Sequence, residues 1–146
     1  MRKHIGTFLG LTGYALRGKE VVQCGIADFY VKSENLPKLE AEIVENSHKK
    51  LTVEQYRDMV RKYAEPVEDK YVHEDVIDRV FGKPSVQEIW KEVERESVEN
   101  EFIKKMLDLM KIYSPMSLKL IFEQIKRGKD LSFEENLKMD LRILSP

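Results

Sequence analysis

FLGLTGYALRGKEVVQCGIADFYV, residues 8–31, holds three structural decisions in one run. It opens with a turn of apolar residues and then steps twice, at Gly13 and Gly18. Glu20 to Cys24 carries its apolar residues on one helical face and is stopped by Gly25, because a glycine just past a helix takes positive φ without a Cβ penalty. Ile26, Ala27, Phe29 and Val31 then follow in the pattern of a short strand or extended edge. The expected order is helix, stop, short extended segment. No nucleophile in it stands beside a base.

Outward from this stretch the pattern is helix after helix. His4 to Leu11 is a short apolar helix, weakened in isolation by Gly6 and Gly10. Leu39, Ile43 and Val44 form a stripe behind Pro37, a residue suited to a first helical turn. Thr52 to Gln55 reads as a capping box, followed by Tyr56, Met59, Val60 and Tyr63 until Pro66 stops the run. Val72, Val76, Ile77, Val80 and Phe81 end at Gly82 and Pro84. Ser85 to Glu88 is a second capping box, ahead of Ile89, Trp90 and Val93. Phe102, Ile103, Met106, Leu107, Met110 and Tyr113 make the widest stripe, so this helix is expected to be the most buried. Ser114-Pro115 starts the next helix, with Leu118, Ile121, Phe122 and Ile125, closed by Gly128. Ser132 to Glu135 is a third capping box, and Phe133, Leu137, Leu141 and Leu144 run along one face after it. The fold class is mainly α with one short extended segment near residues 26–31, in a single helical region over 1–146.

The 146 residues suffice for one domain with a core. A net charge of -1 gives no global field toward nucleic acid or an anionic membrane. Cys24 is the only cysteine, so no internal disulfide forms, as suits a reducing compartment or the mitochondrial matrix. No apolar run approaches the roughly 20 residues that span a bilayer. The basic start, Met1 to Ile5, makes a poor signal peptide and is too short for a transit peptide, so a mitochondrial targeting segment would lie outside this sequence.

The search for chemistry is mostly negative. His4, His48 and His73 lack a ligand partner at helical spacing and read as surface or loop histidines, so no metal ligand is assigned. Cys24 reads as a buried small hydrophobe. Glu88, Glu92, Glu94, Glu96, Glu99 and Glu101, interleaved with Lys91, Arg95, Lys104 and Lys105, read as a solvated helix face with i,i+4 pairs. Lys119, Lys126, Arg127 and Lys129 fit a solvated helix end that complements the dipole, with a phosphate of CoA or RNA as the alternative. The amphipathic set leaves an apolar face uncovered, which points to self-association or a partner.

Two blocks carry a resemblance. Leu11, Thr12, Gly13, Gly18, Glu20, Gly25, Ile26 and Ala27 are similar to the segment of the crotonase superfamily that follows its active-site half, most like the 3-hydroxyisobutyryl-CoA hydrolases. Ser114 to Ile143 resembles that family's Ser-Pro-x-Ser-Leu-Lys helix and the helix after it. The resemblance covers the whole chain but only the C-terminal portion of a family member, which continues past Ile143 and often has a histidine near Phe29. It implies a crotonase-like fold and hydrolysis of a CoA thioester in valine breakdown, in the mitochondrial matrix. The CoA thioester is substrate, and no cofactor is implied. The oxyanion hole and the acidic residue that the family uses lie on motifs upstream of Phe8, in a β-spiral half absent from this sequence. No catalytic residue is therefore carried over, and no CoA-binding residue is assigned. The implied role is to cap the active site and mediate oligomer contacts, with the catalytic half or a second copy as partner. Relatives of this family also serve as structural subunits of the mitochondrial small ribosomal subunit. That role implies protein partners, limited direct RNA contact and no membrane.

Overall fold

The computed structural model describes residues 3–145. Among them are nine α-helices: α1 (Ile5–Thr12), α2 (Lys19–Gln23), α3 (Leu36–Asn46), α4 (Val53–Tyr63), α5 (Glu74–Phe81), α6 (Val86–Glu96), α7 (Glu101–Met110), α8 (Pro115–Gly128) and α9 (Phe133–Leu144), with a 3₁₀ turn at Ser33–Asn35. They group into two compact units. One is Leu16–Val72; the other joins the N-terminal stretch up to Ala15 with the chain from His73 onward.

In the Leu16–Val72 unit, Gly25 stands just past α2 at φ 68, as its position after Cys24 demands. The segment after it forms no strand. Its one ladder contact is an antiparallel bridge between Val31 and Ala64, beside a bond from the Glu65 N–H to the Tyr30 carbonyl at 2.9 Å. The physical reason is the partner: the chain opposite leaves α4 at Ala64, which is extended, and Pro66, which has no N–H to donate, follows two residues later, so the ladder cannot lengthen. α3 packs on α4. Leu39, Cys24 and Tyr71 are buried, whereas every core-facing residue of α4 is only half-buried. Polar contacts make up part of the difference. Glu42 on α3 accepts from the Tyr63 hydroxyl at 2.5 Å and from Lys62 Nζ at 2.9 Å, both on α4.

In the other unit α1 is the centre. It packs against α5, α7 and α8, and α6 lies against α5, α7 and α8. Five of the eight residues of α1 are buried against four of ten in α7, so α1, not α7, is the most buried helix. Its glycines explain the exchange. A β-carbon on Gly10 would stand 2.7 Å from Ile125 Cδ1 and 3.1 Å from Ile121 Cγ2, so α8 approaches closely only because residue 10 has none. The feature that weakens α1 alone is what lets it be surrounded. Phe8 meets Phe81 edge-on at 5.3 Å and also contacts Tyr14 and Phe102.

The caps follow the local sequence closely. Thr52 and Ser132 form reciprocal capping boxes with Gln55 and Glu135. Ser114 accepts from the Ser117 N–H, and Asn100 from Phe102 and Ile103. At Ser85 only half of the box is made: its hydroxyl accepts from the Glu88 N–H and donates to the Glu88 carboxylate.

The largest departure is at α9. Phe133, Leu137, Leu141 and Leu144 remain 51–81% exposed. The face turned inward carries Asn136, Met139, Asp140 and Ile143 instead. Polar geometry holds it: Gln124 donates to Asp140, and Asn136 donates to the Gly128, Leu131 and Ser132 carbonyls at 3.1–3.2 Å.

Candidate functional site

The Leu-Thr-Gly step resolves into a helix stop. Thr12 is fully buried; its hydroxyl donates to the Phe8 carbonyl at 2.7 Å and accepts from the Tyr14 N–H at 3.1 Å. Gly13 then takes φ 62 and its N–H reaches the Leu9 carbonyl at 2.9 Å, the left-handed cap that only glycine enters without strain. The Thr12 hydroxyl thus donates one bond and accepts another, and the motif positions the chain at the end of α1. The Cys24 thiol is buried, as expected from its sequence context. Among the described residues no three His, Cys, Asp or Glu side chains gather to hold a metal ion.

Of the concavities in the unit built around α1, two gather lysines over apolar walls. The smaller, about 200 Å³, is lined by His4, Thr7, Lys83, Lys126 and Lys129 over apolar walls that include Phe81 and Phe122. His4 stands in the turn ahead of α1, as a loop histidine, and is half-buried. Burial holds its imidazole below the ordinary value, with Asp78 opposing and Lys3 and Lys129 reinforcing the shift. A side chain at residue 82 would approach His4 Nε2 to 3.1 Å, so Gly82 leaves the ring its place. His73 also lies in a loop, at the turn ahead of α5, and its ring stacks on Phe102 at 3.7 Å. His48 is exposed, as expected.

The larger concavity, about 570 Å³, lies between α6 and the start of α8 with the connection that precedes it. Val86 and Trp90 share one α6 face by their i,i+4 spacing, and Gln87, Lys91 and Glu94 flank them. Lys111, Tyr113, Pro115, Leu118 and Lys119 supply the other side.

The basic cluster read from the sequence is thus dispersed. Lys126 and Lys129 line the smaller cavity, Lys119 the larger, and Arg127 pairs with Glu123 at 3.5 Å. The acidic run forms surface ion pairs: Glu96 with Arg79 at 2.8 Å, Glu101 with Lys104 at 3.7 Å, and Glu92 with Arg95. The hydrogen bond from Arg95 is what chiefly holds the Glu92 carboxyl below the ordinary carboxylate range. Trp90, Lys111 and Tyr113 were not singled out from the sequence as members of a site. Trp90 stands 21 residues ahead of Lys111 and 23 ahead of Tyr113, and no spacing rule connects them. No helix among the described residues is long and apolar enough to cross a membrane.

Comparison with known proteins gives a family match along the entire chain. The family model described as enoyl-CoA hydratase/isomerase matches residues 1–146. The chain is 34% identical over 144 residues to the mitochondrial 3-hydroxyisobutyryl-CoA hydrolase of Xenopus laevis, covering 95% of this chain and 37% of that protein. It is 36% identical over 145 residues to the mitochondrial 3-hydroxyisobutyryl-CoA hydrolase of Dictyostelium discoideum, covering 94% and 37%. It is also 32% identical over 152 residues to the small ribosomal subunit protein mS47 of Arabidopsis thaliana, covering 96% and 35%. The chain therefore spans little more than a third of the length of these relatives.

Proposed function

The chain belongs to the enoyl-CoA hydratase/isomerase family, and from that premise we propose that it is the C-terminal helical portion of a 3-hydroxyisobutyryl-CoA hydrolase-like protein of the mitochondrial matrix. The observation that carries this is the 34% identity over 95% of the chain to a protein named for that hydrolysis. In this reading the thioester is cleaved by groups supplied outside these residues: an oxyanion hole for the developing charge and an acid–base group. The helices described here cap that half and mediate contacts between copies. The outward apolar stripe of α9, Phe133, Leu137, Leu141 and Leu144, supports an arrangement in which another protein surface covers it.

The test is release of the CoA thiol from 3-hydroxyisobutyryl-CoA by the protein purified from its source. Turnover by that protein, and none by residues 1–146 alone, is the expected result. An intact thioester with the native protein would sink the hydrolase reading.

A second reading is favoured by the match to small ribosomal subunit protein mS47. In it the chain is a non-catalytic subunit of the mitochondrial small ribosomal subunit. The net charge of -1 favours protein neighbours over extensive RNA contact. Co-sedimentation with mitochondrial ribosomes through a salt wash supports it, and recovery only in the soluble fraction excludes it.

A further inference from the structure

The groove at Trp90 combines two properties that point to a ligand. Its lining is apolar at Val86, Trp90, Pro115 and Leu118, and its volume of about 570 Å³ matches small-molecule sites, which run roughly 300–1,000 Å³. Around this lining stand Lys91, Lys111 and Lys119, with Glu94 as the one carboxylate. None of the three lysines forms an ion pair among the described residues, whereas Arg57, Arg61, Arg79 and Arg95 all do. Lysine stems lie along apolar surface and keep their ammonium groups at its edge. The result is an apolar pocket whose rim carries three lysines against one carboxylate.

We infer that this groove binds a small amphiphilic anion, an unbranched acyl carboxylate of medium chain length. The chain lies against Val86, Trp90 and Leu118, and the carboxylate lies among the three ammonium groups. A bound acidic helix is the poorer fit, since a helix in a groove sets several anchors over two or more turns. This site gathers its apolar residues, Val86, Trp90, Pro115 and Leu118, in one patch of a single concavity. The assignment stands apart from thioester hydrolysis: it uses no CoA and none of the groups invoked for that reaction.

Trp90 is the only tryptophan among the 146 residues, so the site carries its own reporter. The native protein is titrated with decanoate, decanol and decyltrimethylammonium, following tryptophan fluorescence and binding heat. Decanoate is expected to saturate both signals at one site. Trp90→Phe loses the optical change and keeps the heat. Lys111→Gln weakens decanoate about tenfold, as loss of one charge-assisted contact requires, Lys119→Gln added to it weakens decanoate further, and both leave decanol unchanged. Decanol or the cation binding as tightly as decanoate would overturn the inference. So would the absence of any saturable heat, or a fluorescence change that comes with loss of helical circular dichroism. Capture of an acidic helical peptide without decanoate binding would make the groove a protein-docking face and refute the small-ligand assignment.

Discussion

Gly10 of α1 and Ile125 of α8 are neighbours only because Gly10 has no side chain: a β-carbon there would lie 2.7 Å from Ile125 Cδ1. Two opposing effects meet at this position. Alanine would favour the helix by about 1 kcal/mol over glycine. It would also press on the mobile end of Ile125, which can turn aside. Gly10→Ala is therefore expected to leave stability nearly unchanged. Gly10→Val adds a branched carbon toward Ile121 as well and is expected to cost about 1–3 kcal/mol by overpacking. Urea unfolding of both variants checks this. Equal effects would show that propensity, not close approach, governs the site.

Thr12 offers a second test. Its buried hydroxyl holds the end of α1 through the Phe8 carbonyl and the Tyr14 N–H. Thr12→Val keeps the shape and removes both bonds from a fully buried site at the end of α1. The expected loss is about 1–3 kcal/mol. Thr12→Ser, which keeps both bonds, should recover most of it.

Glu42 predicts a pH dependence in the Leu16–Val72 unit. The Tyr63 hydroxyl, and then Lys62, hold its carboxyl below the ordinary 4.5 of glutamate. A depressed carboxyl contributes stability that is full above 4.5 and is lost as pH falls through the lower folded value. The contact between α3 and α4 should thus weaken on acidification below about pH 4.5, as read by amide hydrogen exchange. Because the same bond raises the Tyr63 hydroxyl, Tyr63→Phe should bring the Glu42 titration back toward 4.5 in carboxyl NMR. No movement would show that Tyr63 does not set it.

The α9 stripe predicts a surface phenotype. Leu137→Glu with Leu141→Glu changes residues that are 51% and 66% exposed, so folding stability should stay within about 0.5 kcal/mol of the parent. Binding of an apolar dye, and any self-association measured by light scattering, should fall. A clear loss of stability would mean that the stripe is packed within the chain itself.

α9 depends on its cap more than the buried helices do, since none of its residues is buried. Ser132→Ala removes the capping box with Glu135 and should cost about 1 kcal/mol, expressed as faster amide exchange in α9. Asn100→Ala at α7 should cost a similar amount without opening that helix, because Ile103, Met106 and Met110 are buried. Equal exchange in both helices would contradict the distinction.

Helix boundaries and family membership were legible in the sequence. The boundaries depend on chemistry within three or four residues: Thr52 with Gln55, Ser132 with Glu135, Pro115 behind Ser114, Gly25 after Cys24. What the tertiary structure alone decided is which apolar stripes found partners. Leu118 and Phe122 of α8 are buried, while the equally regular stripe of α9 faces outward, because Asn136 and Asp140 found hydrogen-bond partners around the end of α8 and in Gln124. Likewise α1 became the centre through the missing side chain of Gly10, and the groove at Trp90 arose from residues on α6, the α7–α8 connection and the start of α8. Periodicity marks a face as apolar. What covers that face depends on contacts between residues distant along the chain, and those exist only once the helices have packed.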